Sequence, residues 1–198
     1  MMLVLASQSA ARRAMLHAAG LAHEALPAHV DEDAITAGLI AERASPEQIA
    51  DALAEVKALK ISRQHPGALV LGADTVVIAA DGSMITKPET RARAQAQLRQ
   101  LAGTTHRLIS AAVICEAGKP VWRSAGAAKL TMRRLSDDFI TAYLDAEGDA
   151  VLDCVGCYRI EGLGAQLFSR IDGDQFIIRG LPLLAVLDYL RVRGVLAA

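Results

Sequence analysis

Apolar residues 3–6 form an uninterrupted run, too short for a helix and therefore read as a buried strand. From Ser7 to Leu16 the apolar positions change to helical spacing, with serines where helix N-caps are favoured, so the chain opens on a strand, turn and helix. Pro46 to about Arg63 predicts a second helix, with Ile49, Leu53, Val56 and the stem of Lys60 recurring on one face until His65, Pro66 and Gly67 stop it. Ala68 to Ala80 is β-branched and apolar except at Asp74 and Thr75, and Asp81-Gly82 signals a turn. A buried strand with a polar pair in its middle follows. Glu89 to Leu101 predicts a third helix, anchored by Leu98 and Leu101, with Gly103 in a C-capping place. Arg107 to Cys115 and Lys119 to Met132 read as two long strands joined across Ala117-Gly118, and Ser136 caps a helix running to Leu144. Ala165 to Ile171 and Gln175 to Ile178 suggest a hairpin around Asp172-Gly173. Pro182 stands where a last helix would begin, with Leu183, Leu184, Leu187 and Leu190 as its apolar stripe.

This alternation of strands and helices is α/β or mixed α+β, and the two long strands suggest an elongated, partly antiparallel sheet. At 198 residues the chain is long enough for one substantial domain, read here as residues 1–198, and its 53% hydrophobic share supports a well-buried core. No stretch of about 18 apolar residues is uninterrupted, since LPLLAVLDYLRVRGVLAA carries Asp188, Arg191 and Arg193. The N-terminal apolar run is too short for a secretory signal, and its charges follow it instead of preceding it. A soluble protein is expected. The net charge of −1 provides no broad basic field, so neither nucleic acid nor a membrane is expected as partner, and any phosphate binding must be local. Three cysteines do not make a disulfide framework, which fits a reducing cytoplasm.

Several common chemistries lack their motifs: there is no GxxxxGK[ST] loop, no HExxH and no GxSxG. Glu161-Gly162-Leu163-Gly164 contains a GxG fragment without the third glycine of a dinucleotide fingerprint, so a loop needing positive φ is the expectation. Cys154 and Cys157 form a lone CxxC, short of the ligands of a structural zinc site, and the five histidines lack metal-ligand spacing. Packing is expected for the cysteines, and surface or packing roles for the histidines. Ser7, Ser9, Arg12 and Arg13 cluster where a strand gives way to a helix, a place that favours anions, although a capped helix with solvated arginines has the same pattern. Asp74 is a carboxylate inside an apolar strand, which requires compensation by metal, cation or hydrogen bonds. Lys57, Lys87 and the Asp31-Glu32 pair are ordinary surface charges when taken singly.

Taken in order, these segments resemble the Maf family of nucleotide pyrophosphatases. LASQSAARRAML is similar to the family's opening LASxSPRRxxLL, VDE at residues 30–32 to its acidic signature, and LAEVKA to LAxxKA. LGADTVV, Thr86-Lys87-Pro88, the THRLISAAVI strand and VGCYRIEGLGAQLFSRIDGDQFIIRGLPL continue the match nearly to the end of the chain. The resemblance implies a Maf/ITPase-like fold, an elongated mixed sheet flanked by helices with two lobes around a central cleft. It implies a homodimer and hydrolysis of nucleoside triphosphates to monophosphate and pyrophosphate, with Mg²⁺ or Mn²⁺ as cofactor. Carried over by position, Asp74 is the base and a metal-associated carboxylate, Glu32 its acidic partner at the metal, and Ser7, Ser9, Arg12, Lys57 and Lys87 hold the phosphates. A carboxylate so close to cations is expected to keep a low pKa.

The chain departs from the family pattern in the opening motif. Ala10 and Ala11 stand where many members have Pro-Arg, so Arg12 matches the second arginine of the motif and Arg13 lies one position beyond. Ala11, Thr75 and Glu161 occupy positions that tune base choice. Thr75 resembles members preferring dTTP or UTP, whereas Glu161 resembles those acting on 7-methyl-GTP, so base preference stays open. A different class of protein, a nucleotide-responsive binder restraining septum formation through a partner, is the alternative to the enzyme.

Overall fold

The computed structural model describes residues 2–197 as a mixed sheet with helices. The chain divides into two compact units, one of residues 2–75, 109–126 and 180–197, the other of residues 76–108 and 127–179. Strand order is β2 (Glu24–Ala25), β1 (Met2–Leu5), β3 (Ala68–Ile78), β5 (Thr105–Glu116), β6 (Lys119–Met132) and β7 (Phe168–Asp172), with β4 (Met84–Ile85) on β3, and β3, β5 and β6 contribute residues to both units.

In the first unit, β1 (Met2–Leu5) lies parallel to β3 (Ala68–Ile78), pairing Leu5 with Leu71, and to the short β2 (Glu24–Ala25). Parallel neighbours require a crossover, and here it is supplied by three helices: α1 (Ala10–Ala18), α2 (Glu32–Ala41) and α3 (Pro46–Ser62). Buried on both faces, β3 reads in sequence as a continuous apolar run. Helix α3 starts on a full capping box, in which Ser45 and Gln48 satisfy each other's backbone N–H groups, followed by Pro46. Its buried side is Ile49, Ala50, Leu53, Ala54, Lys57, Ala58 and Ile61. Val56 is half-buried and Lys60 exposed, its ammonium donating to the His29 carbonyl, so the inward lysine is Lys57 and not Lys60. Gly72 makes this packing possible, because a Cβ there would overlap the Ala54 carbonyl oxygen and Ala58. Helix α2 has no buried residue and therefore no apolar stripe for sequence reading to find; the Asp31 carboxylate caps it through the Ala34 N–H at 3.0 Å.

β5 (Thr105–Glu116) and β6 (Lys119–Met132) are joined through Ala117 and Gly118 with φ of 47° and 74°, positive at both turn positions as the twist of a two-residue hairpin favours. The last helix, α7 (Leu183–Val192), takes Pro182 as its N-cap residue. It buries Leu183, Val186 and Leu190, while Leu184 is exposed and Leu187 half-buried. The inward stripe thus follows i, i+3, i+7 through Leu183, Val186 and Leu190, keeping two of the four expected leucines and adding Val186.

In the second unit, β4 (Met84–Ile85) folds back on β3, α4 (Arg91–Leu101) is capped by Thr90, and α5 (Asp137–Glu147) by Ser136. Leu98, Leu101, Leu130, Ile140, Leu144 and Leu167 lie in its core. β7 (Phe168–Asp172) pairs with β6, Leu130 opposite Ile171. The expected hairpin partner, Gln175 to Ile178, is instead a single helical turn, α6. Gly173 turns at φ 140° and Asp174 then accepts from the Phe176 N–H at 2.9 Å, so a local cap wins over strand pairing. The expectation for the GxG fragment also fails: Gly162 has φ −124°, and neither it nor Gly164 is a positive-φ glycine. Gly164 is instead required by a close backbone approach, and Gly162 lies against the end of the Glu147 side chain.

Candidate active site

The opening strand and helix deliver Arg12 to a fixed place. Ser7, just after β1, accepts from the Ser9 N–H at 3.2 Å, and Ser9 caps α1 through the Arg12 N–H at 3.4 Å. Three interactions then spread the Arg12 guanidinium: Nε donates to the Gly180 carbonyl at 2.8 Å, one terminal nitrogen to Ser7 Oγ at 3.3 Å, and the other to Thr75 Oγ1 at 3.1 Å. Thr75 is in turn 2.9 Å from the buried Ser110 hydroxyl. Gly180 adopts φ 96°, a conformation that favours glycine, and a Cβ there would press on Thr75 and the guanidinium at 3.1 to 3.3 Å. Burial lowers the pKa of Arg12, opposed by the charges of Asp74 and Glu32.

Asp74 lies next to Thr75 on β3, and successive strand side chains point to opposite faces. It takes the face that Gly72 keeps close to α3, and Lys57 Nζ donates to its Oδ1 at 2.6 Å. The same ammonium is 2.9 Å from Glu32 Oε1, in the first turn of α2. Lys57 and Asp74 side chains are each 9% exposed, whereas Glu32 is 45% exposed. The balance on Asp74 is a correction to the sequence expectation. Burial comes first and raises its pKa, with Lys57 and Arg12 only partly offsetting it. Asp74 is therefore a stronger base than an ordinary aspartate.

The first unit thus brings together Ser7, Ser9, Arg12, Glu32, Lys57, Asp74 and Thr75. Arg13 is exposed on α1, outside this network, and Ala11 is half-buried beside Arg12 in sequence. Lys87 and Glu161 belong to the second unit; both are exposed, and Glu161 is 3.8 Å from Arg159. Sequence reading missed Gly180 and Ser110 as members of the network. Ser110 had a signal, a lone polar residue inside the apolar run Leu108–Ile114, the same feature that singled out Asp74.

Among the described residues no group of three or more His, Cys, Asp or Glu could hold a metal by itself. Asp74 and Glu32 nevertheless offer two carboxylates that both reach one cationic atom, the Lys57 ammonium. One or two carboxylates suffice for a magnesium ion that keeps waters and substrate phosphates as its other ligands. This donor set fits the expected divalent cation. The cysteines are free, and burial pushes Cys154 and Cys115 up to about 11 and Cys157 to about 12, which removes thiolate character at neutral pH. Cys157 instead donates to Gln97 at 2.9 Å. His106 is buried, 2.9 Å from the Tyr158 hydroxyl.

Cationic and hydroxyl groups fixed at a strand-to-helix junction, beside a buried carboxylate of raised pKa, have the make-up of an enzyme that handles phosphate groups. The family follows from comparison with known sequences. The chain belongs to the Maf family, whose model, described as Maf-like protein, matches residues 2–193. A protein of Sphingopyxis alaskensis named nucleoside triphosphate pyrophosphatase is 53% identical over 194 residues, 98% of each chain. A Jannaschia protein named nucleoside triphosphate pyrophosphatase 1 is 54% identical over 98% of each chain, and one from Caulobacter vibrioides bearing the same activity in its name is 50% identical over 97% of this chain and 96% of its own. No helix of the described residues is long and apolar enough to cross a membrane.

Proposed function

We propose that this protein hydrolyses nucleoside triphosphates, including deoxynucleotides and ones with modified or non-standard bases, to the monophosphate and pyrophosphate. The observation that carries this reading is the buried Asp74, held by Lys57 in the same unit as the Arg12 cradle, in a chain about half identical to proteins named for that activity. Asp74 takes a proton from a water, whose oxygen forms a bond to the α-phosphorus. The bond from that phosphorus to the α–β bridging oxygen breaks, and pyrophosphate leaves with its electron pair. Arg12, oriented by Gly180, Ser7 and Thr75, and Lys57 neutralise the charge on phosphate oxygens, with Ser7, Ser9 and Lys87 as further phosphate ligands. Because Lys57 bridges Asp74 and Glu32, its ammonium gives up one carboxylate to reach a phosphate.

Asp74 and Glu32 would hold a divalent cation, Mg²⁺ or Mn²⁺, which when bound supplies Lewis-acid neutralisation of the phosphate oxygens and acidifies water. Glu161, with Ala11 and Thr75, is assigned to base choice. Thr75 also has a second duty, as an acceptor for Arg12, so its replacement is expected to affect rate as well as ranking. Three free thiols suit a reducing cytoplasm, and the family resemblance supports a homodimer. The test is pyrophosphate release across a panel of standard and modified triphosphates with Mg²⁺ or Mn²⁺. Turnover of at least one member is expected; nucleotide binding without turnover of any would overturn the enzyme reading in favour of a nucleotide-responsive binding protein.

A further inference from the structure

The segment carrying Glu161 is organised around a carboxylate that the phosphate chemistry does not use. Glu147, the last residue of α5, has a side chain only 5% exposed, and both of its oxygens are directed to one short loop. Oε1 accepts from the Leu163 N–H at 2.9 Å, and Oε2 accepts from the Arg159 guanidinium at 3.2 Å. Arg159 in turn places its Nε 3.8 Å from Glu161 Oε1. A chain of alternating charge therefore runs from Glu147 through Arg159 to Glu161. The two glycines of Glu161-Gly162-Leu163-Gly164 follow from the same arrangement. A Cβ on Gly162 would sit 2.9 Å from Glu147 Oε1, and one on Gly164 would sit 2.5 to 2.8 Å from the Arg159 backbone. Without Gly164 the loop could not close this tightly on its own backbone, whereas a side chain at position 162 would push the Glu147 carboxylate aside.

We propose that Glu147 is a positioning residue for base selection, fixing the loop of residues 159–164 and, through Arg159, the direction of the Glu161 carboxylate. This rests on the reading of Glu161 as the residue that meets the base. A buried acceptor holding a loop N–H and an arginine at once gives the loop one conformation, and a carboxylate that reads N–H donors on a base needs that fixed direction. Loss of Glu147 releases the Leu163 N–H and leaves Arg159 with Glu161 alone. The effect belongs to discrimination between bases and to KM, while turnover of bound substrate depends on groups in the other unit.

The experiment compares the parent, Glu147→Ala, Glu147→Gln and Glu161→Gln by kcat and KM on the triphosphate panel, with amide hydrogen exchange at Leu163. Glu147→Ala is expected to lose protection at Leu163, raise KM for the preferred base and shrink its advantage over the next by about tenfold, the loss of one hydrogen bond to a charged group. Its kcat on that base should stay within about twofold, because KM and not chemistry carries the change. Glu147→Gln keeps an oxygen for Leu163 but loses the charge facing Arg159, so it should recover the protection and part of the ranking. Glu147→Ala with the parent's ranking and KM, altered only in melting temperature, would overturn the proposal. If Glu161→Gln also leaves the ranking untouched, the base-reading assignment itself fails; if Glu161→Gln alters it while Glu147→Ala does not, only the positioning role fails. Should Glu147→Ala not fold, Arg159→Gln breaks the same chain at its more exposed member and must shift the ranking in the same direction, an unchanged ranking again refuting the role.

Discussion

Replacing Asp74 by Asn separates catalysis from stability, because the structure assigns the two effects different sizes. Asn keeps the shape and an oxygen that still accepts from Lys57, now 2.6 Å from Oδ1, but it loses the negative charge and the ability to take a proton. Loss of general-base assistance alone removes at least about 10²-fold in rate, equivalent to roughly 2.7 kcal/mol of barrier. On the stability side, an ion pair becomes a hydrogen bond from the ammonium to a neutral amide oxygen, a loss on the order of 1 kcal/mol. Against it stands the burial that already raises the Asp74 pKa, a cost that Asn does not incur. Lys57 also retains Glu32 at 2.9 Å, so its ammonium is not left without a counter-charge. The net change should move the melting midpoint by no more than about 2–4 °C in a chain of this size. Pyrophosphate release and a melting curve on both proteins measure the two effects side by side. A pH titration adds a third test. Because burial raises the pKa of Asp74, its carboxyl should titrate above the ordinary aspartate value of about 4 in the metal-free protein, followed by carboxyl NMR, whereas a divalent cation at the carboxylate would pull it back down. A folded Asp74→Asn protein with near-normal turnover would refute the assignment of the base, and an Asp74 carboxyl titrating at or below about 4 in the metal-free protein would refute the argument that burial dominates.

Other substitutions test the supporting geometry. Arg12→Ala should cut kcat/KM by at least about 10²-fold and also lower stability, since it empties three hydrogen bonds, whereas exposed Arg13→Ala should stay within about twofold; equal losses would show that the register assigned to the motif is wrong. Gly72→Ala should destabilise by about 1–3 kcal/mol or more through overpacking against Ala54 and Ala58, and should lower activity by drawing Lys57 away from Asp74; urea unfolding within a few tenths of parent would contradict the close approach. His106 is held down to about 4 by burial, so between about 6.5 and about 4 the unfolded chain binds a proton that the native protein refuses. Stability should therefore fall as pH drops through that window. His106→Gln should reduce the difference between urea midpoints at neutral pH and at about pH 5, and an undiminished difference would place the acid sensitivity elsewhere.

The elements that sequence reading located well are those whose signal is local. The serine caps before α1 and α5, the Pro46 start, the apolar β3 run and the Ala117-Gly118 turn each follow from a few neighbouring residues, and the structure has these elements within about three residues of the expected bounds. The ordered motifs likewise pointed to the family. Where burial comes from residues distant in the chain, local reading failed. Helix α2 buries nothing and so left no stripe, and Gln175–Ile178 has strand-like composition but becomes helical once Asp174 caps it and β6 takes β7 as partner. Lys57 and Lys60 are both ordinary lysines in sequence, and only the packing of α3 on Gly72 turns one inward to a carboxylate and leaves the other in solvent. The pKa of Asp74 was decided in the same way. Sequence supplied its neighbouring cations, but the sign of the shift depends on how much water the fold removes, and desolvation is a property of the packed tertiary structure.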